Sequence, residues 1–472
     1  MSQYDFGVID PAATSGTQLA GLITQFRDAV NSNHKGAARP TYVRAGMMWV
    51  KETSATQWDL MLYDGQIDLL LRSLNPQTHK LLPLPLTQGG TGGESAAQAK
   101  VNLGLDKVRN VASYSQDEIN NLLAASVLTK ADLQSPCIKK TGAGAVSIKA
   151  NTTVLTGTGV VTFAIDTAVT MPGTLNAGEN YGVWVKPDGS AVAVEAPTNA
   201  GPYNWGNPPV ADAVLIGGFH YSLTAPGTTP ATGSFATSGF TNQGGNYPWT
   251  QAQIDKIAGV NEYSIWDLLF RPKTYGLKGF VFDPETRIWV AAYFCGTDHI
   301  SDGPSRAGSN VASGTVLPKI PLAYGGDGTA TYGRLSWYEA NEIALSHGCR
   351  ILDYQEFASA ALGVTEGQSL GGASVTIPIT LRQPGYTSRL GLEQACGHQW
   401  IWGANANGTG GSGWVAGPNR GNSYGTPYAG LFGSYRAGGS HSGSRAAAWD
   451  NPAWNSGGSL SLRVACDHMQ PV

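Results

Sequence analysis

The chain has 472 residues, enough for about three domains of ordinary size, and 42% of them are hydrophobic, so sizeable cores can form. Only 13% of the residues are charged, about half of the usual ~25%, whereas glycine occurs 62 times. This composition disfavours disorder and favours a β-rich architecture with many turns. A net charge of −3 without any lysine or arginine block argues against binding to nucleic acid.

The sequence also predicts where the chain is made. The N-terminal stretch MSQYDFGVIDP has acidic residues where a signal peptide has basic and then apolar ones, so we expect no signal peptide. No window approaches ~20 apolar residues, so we expect no membrane insertion. The five cysteines are scattered rather than spaced as a disulfide framework, which predicts synthesis in a reducing cytosol.

Residues 1–75 are predicted to form a small mixed module. The segment 15–31 has the spacing of an amphipathic helix that Ser15 or Thr17 can cap. Its apolar positions share one face: Leu19, Leu22, Ile23, Phe26 and Val30. Two strand-like runs follow, at 46–53 and 58–71, and the second is broken by an Asp-Gly hairpin signal.

Residues 76–136 are predicted to be a linker that needs partners. Two stretches in it, 91–94 and 115–118, match the capping box and should each begin a short helix. Short helices between glycine-rich breaks bury little surface in a monomer. We therefore expect this region to wind with copies of itself in an oligomer.

The chain from 137 to 245 changes to a period of two, with short strands separated by Gly and Pro turns. This pattern predicts a β-sandwich or a trimeric β-prism. Its end, 224–248, has the Gly/Thr/Pro/Ser composition of a connector.

Residues 246–472 have the pattern of an α+β domain. Helices are predicted at 250–259, 263–270, 335–348 and 353–363. Strands are predicted at 279–283, 287–294, 397–403 and 460–468. A long glycine-rich segment without periodicity separates the last two strands. Loops of that length are usually functional or are stabilised by their own aromatic side chains.

Cysteine and histidine, which are common zinc ligands, recur close together in three pairs. None of these spacings matches a zinc-binding motif, and cysteine is often buried simply as a small apolar residue. We therefore predict no metal and no cofactor. The pairs are Cys295 with His299, Cys396 with His398, and Cys466 with His468.

A catalytic site is not favoured either. His441, Ser442 and Ser444 lie close together, but the sequence around them lacks the Gly-x-Ser-x-Gly context of a nucleophile elbow. Paired carboxylates, which glycan-degrading enzymes use, are missing from 403–461. The charged residues of that stretch are Arg420, Arg436, Arg445 and Asp450. We predict that the protein is not an enzyme.

A binding surface explains the same stretch better. Its large aromatics are interleaved with Ser, Gly and Asn, as in antibody paratopes: Trp414, Tyr424, Tyr428, Tyr435, Trp449 and Trp454. The alternative is that these rings form a core beneath the loop. We expect that some of these side chains bind a partner and that others form a core. Phe432 and Trp449 are expected to pack inward, and Arg445 is expected to bond to loop carbonyls. Six side chains are expected to point outward: Tyr435, His441, Asp450, Asn451, Trp454 and Asn455.

The C-terminal end closely resembles the phage major tropism determinants and related proteins. The resemblance rests on Phe432-Gly433, on 443–447, on Trp449 and on 465–468. The segments 335–366 and 262–272 are similar to the helix pair and the entry of the same fold, so the resemblance spans roughly 250–472. It implies a receptor-binding domain with a C-type-lectin fold that a retroelement diversifies.

The N-terminal part resembles other pieces of phage fibres. Residues 1–75 are similar to virion-attachment modules of tail fibres, and LPLTQGGTGGESAAQAKVNLGL (84–105) is similar to a short repeat of those fibres. The resemblance implies an elongated homotrimer, with the N-terminus on tail or baseplate proteins and the lectin-like domain outward.

The resemblance also implies which residues bind. In this family mutagenesis acts at adenines, chiefly in Asn codons, and reaches Asp, His, Tyr, Ser, Gly, Ala and Arg, but not Trp. The expected variable surface comprises Tyr435, Arg436, His441, Ala448, Asp450, Asn451, Trp454, Asn455 and Ser456. Its expected scaffold comprises Phe432, Arg445, Trp449 and Asp467.

Together, these observations and the resemblance predict a trimeric tail-fibre protein of the virion. It is expected to be made in the host cytoplasm and to bind a protein or glycan on the host bacterial surface. One alternative is a structural fibre protein whose terminal domain binds another virion protein. The other is a cell-wall-degrading enzyme. Formylglycine-generating enzymes share the lectin-like fold but need a nearby cysteine pair, and here the terminal region offers Cys466 alone, with Cys396 distant in sequence. The calcium motifs of sugar-binding lectins are also missing from the sequence.

Overall fold

The computed structural model describes residues 3–5, 7–82, 126–229, 249–274, 278–371, 379–409, 413–416 and 421–469. The chain divides into two compact units, 1–113 and 114–472, which are described separately below. Among the residues described, no helix has both the length and the apolarity needed to cross a membrane. The capping boxes predicted at 91–94 and 115–118 lie outside the described residues.

The described part of the first unit, up to residue 82, contains a helix and an antiparallel sheet. Helix α1 is Gly16–Asn31, and Ser15 caps it in a capping box with Gln18. The sheet has the sequential order β1-β2-β3-β4. Its strands are Met48–Ser54, Gln57–Tyr63, Asp68–Asn75 and Lys80–Leu81. At the predicted hairpin, Asp64 Oδ1 accepts hydrogen bonds from two backbone amides, each at 2.7 Å.

The apolar face of α1 is only partly covered in the described part of this unit. Ile23 is 52% exposed and Val30 is 45% exposed, and Ala29 is the buried residue of the helix. Leu19 and Phe26, on the same face, are each 36% exposed. An apolar stripe of this kind normally faces a core or a partner.

The second unit begins with a β-rich region, which confirms the predicted period of two. Its strands β5 to β14 are Leu128–Thr129, Ile138–Gly142, Ala145–Ile148, Thr152–Thr156, Gly159–Phe163, Thr167–Ala168, Asn180–Val185, Ala191–Glu195, Val214–His220 and Trp266–Asp267. They form three sheets, with orders β5-β8-β9, β10-β7-β6 and β12-β11-β13-β14.

The prediction of a helix at 263–270 is wrong. A three-residue 3₁₀ turn, Glu262–Ser264, leads into β14, which pairs antiparallel with β13. The two strands approach closely because Gly217 has no side chain, and a Cβ there would overlap the Trp266 carbonyl. Asp267 is fully buried and accepts a hydrogen bond from Lys130 Nζ at 2.7 Å. Long-range strand pairing and a buried ion pair therefore override the local helical pattern.

The helices predicted at 250–259, 335–348 and 353–363 are confirmed, whereas the short helix His299–Asp302 had not been predicted. Helices α2 to α5 are Gln251–Ile257, His299–Asp302, Trp337–Ser346 and Tyr354–Ala360. Capping boxes begin α2, α4 and α5, at Thr250, Ser336 and Asp353. Gly348 has φ +65° just after α4, which is the left-handed conformation that ends helices.

Two four-stranded sheets and a hairpin form the remaining strands of the second unit that the structure describes. One sheet has the order β15-β16-β24-β17 and the other β22-β21-β18-β23, while β19 and β20 pair with each other. Strands β15 to β18 are Phe280–Asp283, Ile288–Ala291, Arg350–Ile351 and Trp400–Gly408. Strands β19 to β24 are Trp414–Ala416, Asn422–Tyr424, Pro427–Phe432, Ala447–Pro452, Leu460–Ser461 and Val464–Asp467.

The described part of the segment between the last two predicted strands therefore contains strands β19 to β22 as well as irregular turns. Alternation is lost there because the pairing of β21 with β18 and with β22 is interrupted by register shifts. Each shift changes which face a side chain occupies, so a strict period of two does not survive in the sequence.

Candidate functional site

The residues of the predicted binding surface lie on consecutive pieces of one sheet edge. The turn 434–446 follows β21, strand β22 returns along β21, and the turn 453–456 follows β22. We call these three pieces together the 434–456 surface. Because β22 is the outer strand of its sheet, one side of it has no strand neighbour among the described residues.

A β-bulge determines which side chains of β22 face outward. Leu431 pairs with Ala448 and Ala429 pairs with Asn451, so two residues of β22 lie opposite the single intervening residue of β21. These two residues are Trp449 and Asp450, and both are exposed. Bulges re-aim side chains in this way, since the extra residue breaks the alternation between faces.

A cluster of aromatic rings supports the bulge from below. Phe432 is fully buried, and its ring centroid lies 5.5 to 5.7 Å from those of Tyr354, Phe357 and Trp449. A Cβ at Gly403 would overlap the Phe432 ring, so glycine is what makes room for it. The prediction that Phe432 packs inward is confirmed. The prediction for Trp449 is wrong, because its side chain touches these rings but remains 46% exposed.

The turn 434–446 is anchored by a carboxylate that the sequence analysis missed. Both oxygens of Glu366 accept from the backbone N–H of Ser444, at 3.2 and 3.0 Å, and Oε1 also accepts from Ser444 Oγ at 2.5 Å. A Cβ at Gly443 would overlap the same carboxylate. Burial raises the pKa of Glu366, while the Ser444 bonds and the charge of Arg445 oppose that shift.

Backbone bonds hold the rest of the turn. The carbonyl of Arg436 accepts from Ser369 Oγ at 2.8 Å and from the Gly371 N–H at 3.0 Å. The Arg436 N–H donates to the carbonyl of His398 at 3.1 Å. None of these bonds uses a predicted variable side chain, so those side chains can change without loss of the turn's hydrogen bonds.

The predicted surface residues differ in exposure. His441, Asp450 and Asn455 are exposed. Six others are half-buried: Tyr435, Arg436, Ala448, Asn451, Trp454 and Ser456. The Tyr435 ring stacks on Trp400 with centroids 6.4 Å apart.

Ser456 has a structural contact as well as a surface position. Its Oγ accepts a hydrogen bond from the backbone N–H of Leu335 at 3.0 Å, which fixes the approach to α4. Asn455 Nδ2 donates to Asn451 Oδ1 at 3.3 Å, so these two amides lie next to each other on the surface.

Two of the predicted scaffold residues do not have the expected place. Arg445 is exposed, and the loop contact formed there is its own carbonyl accepting from Tyr354 Oη at 3.2 Å. Asp467 lies in β24, in the other sheet, and pairs with Arg350 at 3.0 Å. Arg350 also binds Glu356 at 2.5 Å, so Asp467 supports the start of α5 rather than the surface itself.

The cysteine and histidine pairs do not converge. His299 Nδ1 lies 2.9 Å from His347 Nε2, and His468 Nδ1 accepts from Trp289 Nε1 at 3.0 Å. Among the described residues no cluster of three or more Cys, His, Asp or Glu side chains suited to a metal is found. His441, exposed in its 3₁₀ turn, lies near Ser444, but Ser444 Oγ donates to Glu366 rather than to a histidine.

The hairpin of β19 and β20 is a second feature beside the 434–456 surface. Trp414 is 71% exposed and Tyr424 is 62% exposed, and their rings meet edge to face at 5.4 Å. The start of β20 borders a groove of about 840 Å³ together with α4 and the Tyr324 and Tyr332 side chains. The aromatic composition of the sequence indicated Trp414 and Tyr424, but it could not indicate the groove.

Comparisons with known proteins identify the family. The tail fiber receptor-binding protein of Bordetella phage BPP-1 is 36% identical over 356 residues, which cover 74% of this chain and 86% of that protein. This chain belongs to the major tropism determinant family. A family model described as the Mtd second domain matches residues 136–267, a range that includes β14.

Solved structures of family members have the same fold over most of the chain. The major tropism determinant variant U1 is 28% identical with a TM-score of 0.62 and covers 90% of this chain and 95% of its own. Variant M1 is 29% identical with the same TM-score, and the coverage is 91% and 96%. The resemblance inferred from the C-terminal residues is therefore confirmed, and it extends well beyond them.

Proposed function

We propose that this chain is the receptor-binding protein of a phage tail fibre, and that its 434–456 surface attaches the virion to the host bacterial cell. The observation that carries the proposal is the pair Trp449 and Asp450, which a β-bulge presents to solvent above packed rings. Family membership supports it, because a relative of this chain is named a tail fiber receptor-binding protein.

The chemistry of attachment is non-covalent, with a protein or glycan of the host surface as the receptor. Rigid aromatic rings contribute contact area at a low cost in conformational entropy, and small polar side chains contribute adaptable hydrogen bonds. Trp449, Trp454 and Tyr435 are the rings of this surface, and Asn451 and Asn455 are its amides. Its function requires no cofactor and no catalytic step.

We also propose that three copies of the chain associate into a trimer. The exposed apolar face of α1 supports self-association, because water contact with Ile23 and Val30 is unfavourable. Three copies of a shallow surface raise the overall avidity above the single-site affinity. In this proposal the N-terminal module binds tail proteins, and the C-terminal region has the lectin-like fold.

Diversification by a retroelement is part of the same proposal. The backbone bonds of the turn 434–446 support it, because they leave the side chains of that turn free to vary. The test is to sequence the DNA downstream of the gene and compare it with the codons for 430–468. A near-copy that differs opposite adenines supports diversification, and a downstream region without such a copy refutes it.

Adsorption of virions tests the binding surface directly. Virions carrying Trp449→Ala with Asp450→Ala are compared with virions carrying Glu285→Ala, an exposed carboxylate in the turn between β15 and β16. We expect the double variant to lose about tenfold or more in adsorption, since buried aromatic and charged contacts carry most interface energy. The Glu285 variant should adsorb as the unchanged protein does.

The alternatives correspond to other results of this experiment. Unchanged adsorption by normally assembled virions would refute the surface assignment. Failure of the double variant to enter virions, while the purified protein still binds cells, would instead assign this surface to assembly with another virion protein.

A further inference from the structure

Two cysteines that are far apart in sequence lie opposite each other in one sheet. Strands β17 and β24 pair antiparallel, with Arg350 opposite Ala465 and Ile351 opposite Val464. Continuing this register by one residue places Cys349 opposite Cys466. In the sequence Cys466 has no cysteine nearby, because 117 positions separate it from Cys349.

The backbone spacing of such a pair suits a disulfide. Residues opposite each other on antiparallel strands have Cα atoms about 4.5 to 5.5 Å apart. Disulfides form over Cα separations of about 4.4 to 6.8 Å. The N–H of Cys349 donates to the carbonyl of Ala344 at the end of α4, at 3.0 Å, and not across the sheet. The N–H of Cys349 is therefore not among the hydrogen bonds that join β17 to β24.

The thiol of Cys466 is separated from solvent by Thr274 and Gly348. Its Sγ accepts from the backbone N–H of Thr274 at 3.4 Å and lies 3.8 Å from the carbonyl of Gly348. Gly348 is exposed and Thr274 is half-buried, although both cysteines are themselves buried. A local displacement of these two residues would admit a small oxidant without unfolding of the sheet.

The protonation chemistry favours Cys466 as the attacking group. A hydrogen bond from the Cys349 thiol lowers the pKa of Cys466 to about 7, against the opposing effect of burial. Burial raises the pKa of Cys349, which therefore stays protonated, and its Sγ also lies 3.5 Å from the carbonyl of His347. The thiolate is the reactive form of cysteine in exchange with disulfides.

We propose that Cys349 and Cys466 form a reversible disulfide that links β17 to β24 once the protein leaves a reducing compartment. The oxidant is a small-molecule disulfide. The Cys466 thiolate attacks one of its sulfurs and releases one thiolate. The Cys349 thiol then loses its proton and attacks the Cys466 sulfur, which releases the second. Two protein thiols are thereby oxidised by two electrons, and one small disulfide is reduced to two thiols.

The link would stabilise the support of the 434–456 surface. It ties the segment that carries α4, β17 and α5 to the C-terminal strand, and α5 supplies Tyr354 and Phe357 to the rings beneath Trp449. A cross-link over 117 positions restricts the unfolded chain strongly, since the effect grows with loop length. This inference is independent of the proposed receptor, because it concerns the stability of the fold.

The test uses the full chain, purified with its thiols reduced, and oxidised glutathione as the probe at pH 8. We expect the titratable thiols, counted after denaturation, to fall from five to three. Tryptic mapping should find the peptides of Cys349 and Cys466 joined, and the midpoint of thermal unfolding should rise by about 5 °C. The matched control is Cys396→Ala, a distant buried cysteine, which should still form the link.

Cys466→Ser should keep all of its remaining thiols and show no rise in the unfolding midpoint. Mapping of the unchanged protein tests the proposal even if that variant fails to fold. Five free thiols after oxidation would overturn the proposal. A link between Cys349 and Cys295 would overturn it equally, because the strand register favours Cys466.

Discussion

Removal of the Glu366 side chain should release the turn 434–446 while leaving the rest of the domain folded. Glu366 receives the N–H and the hydroxyl of Ser444, which is itself buried. In the variant Glu366→Ala both of these donors lose their partner inside the protein.

The expected magnitude follows from these two donors. A buried donor left without a partner costs roughly 1 to 3 kcal/mol, and bonds to a charged acceptor are at the upper end of the range. The raised pKa of Glu366 shows that burying its carboxylate costs free energy. The variant Glu366→Ala no longer has this cost, which offsets part of the stability lost with the hydrogen bonds. We expect Glu366→Ala to lower the free energy of unfolding by about 3 kcal/mol, and Glu366→Gln by about 1 to 2 kcal/mol because one oxygen remains.

Hydrogen–deuterium exchange of the backbone amides measures this effect locally. Amides from 442 to 446 should exchange faster in Glu366→Ala by about tenfold or more, while those of β16 and β24 should keep their protection. Ser444→Ala is the matched partner, and in the double variant the two losses should not add, since they break the same bonds. Unchanged exchange at 442–446 would refute the role given to Glu366, and so would losses that add fully.

Three further predictions concern other parts of the chain. Gly403→Ala should push the Phe432 ring aside and lower the free energy of unfolding by about 1 to 3 kcal/mol, measured by chemical denaturation; an unchanged midpoint would contradict the packing. Burial lowers the pKa of His220 to about 4 from 6.5, so the stability that it contributes is present above pH 6.5 and is lost as the pH falls towards 4. His220→Gln should therefore lose less stability over that interval, and equal losses would contradict this cause. Ile23→Asn should weaken self-association in light scattering, because it places an amide on the exposed face of α1; an unchanged oligomer mass would exclude that face as the interface.

Local patterns predicted most of the helices because their signals lie within a few residues. Ser336 with Glu339, and Asp353 with Glu356, form capping boxes that are visible in the sequence and present in the structure. A cap needs only the residues of one helical turn, so it survives in any tertiary context. The helix prediction for 263–270 failed because the structure of that segment depends on a distant residue. Asp267 accepts a hydrogen bond from Lys130, which is more than a hundred positions away in the chain.

The sequence by itself determined the β-rich composition, the well-capped helices and the family, and it is the basis for proposing a binding surface in the last forty or so residues of the chain. Only the tertiary structure decided that Trp449 faces outward, that Glu366 anchors the turn and that Cys349 lies opposite Cys466. The physical reason is the same in each case. A bulge, a buried acceptor and a cross-strand pair each depend on contacts between segments far apart in the chain, and local periodicity carries no record of those contacts.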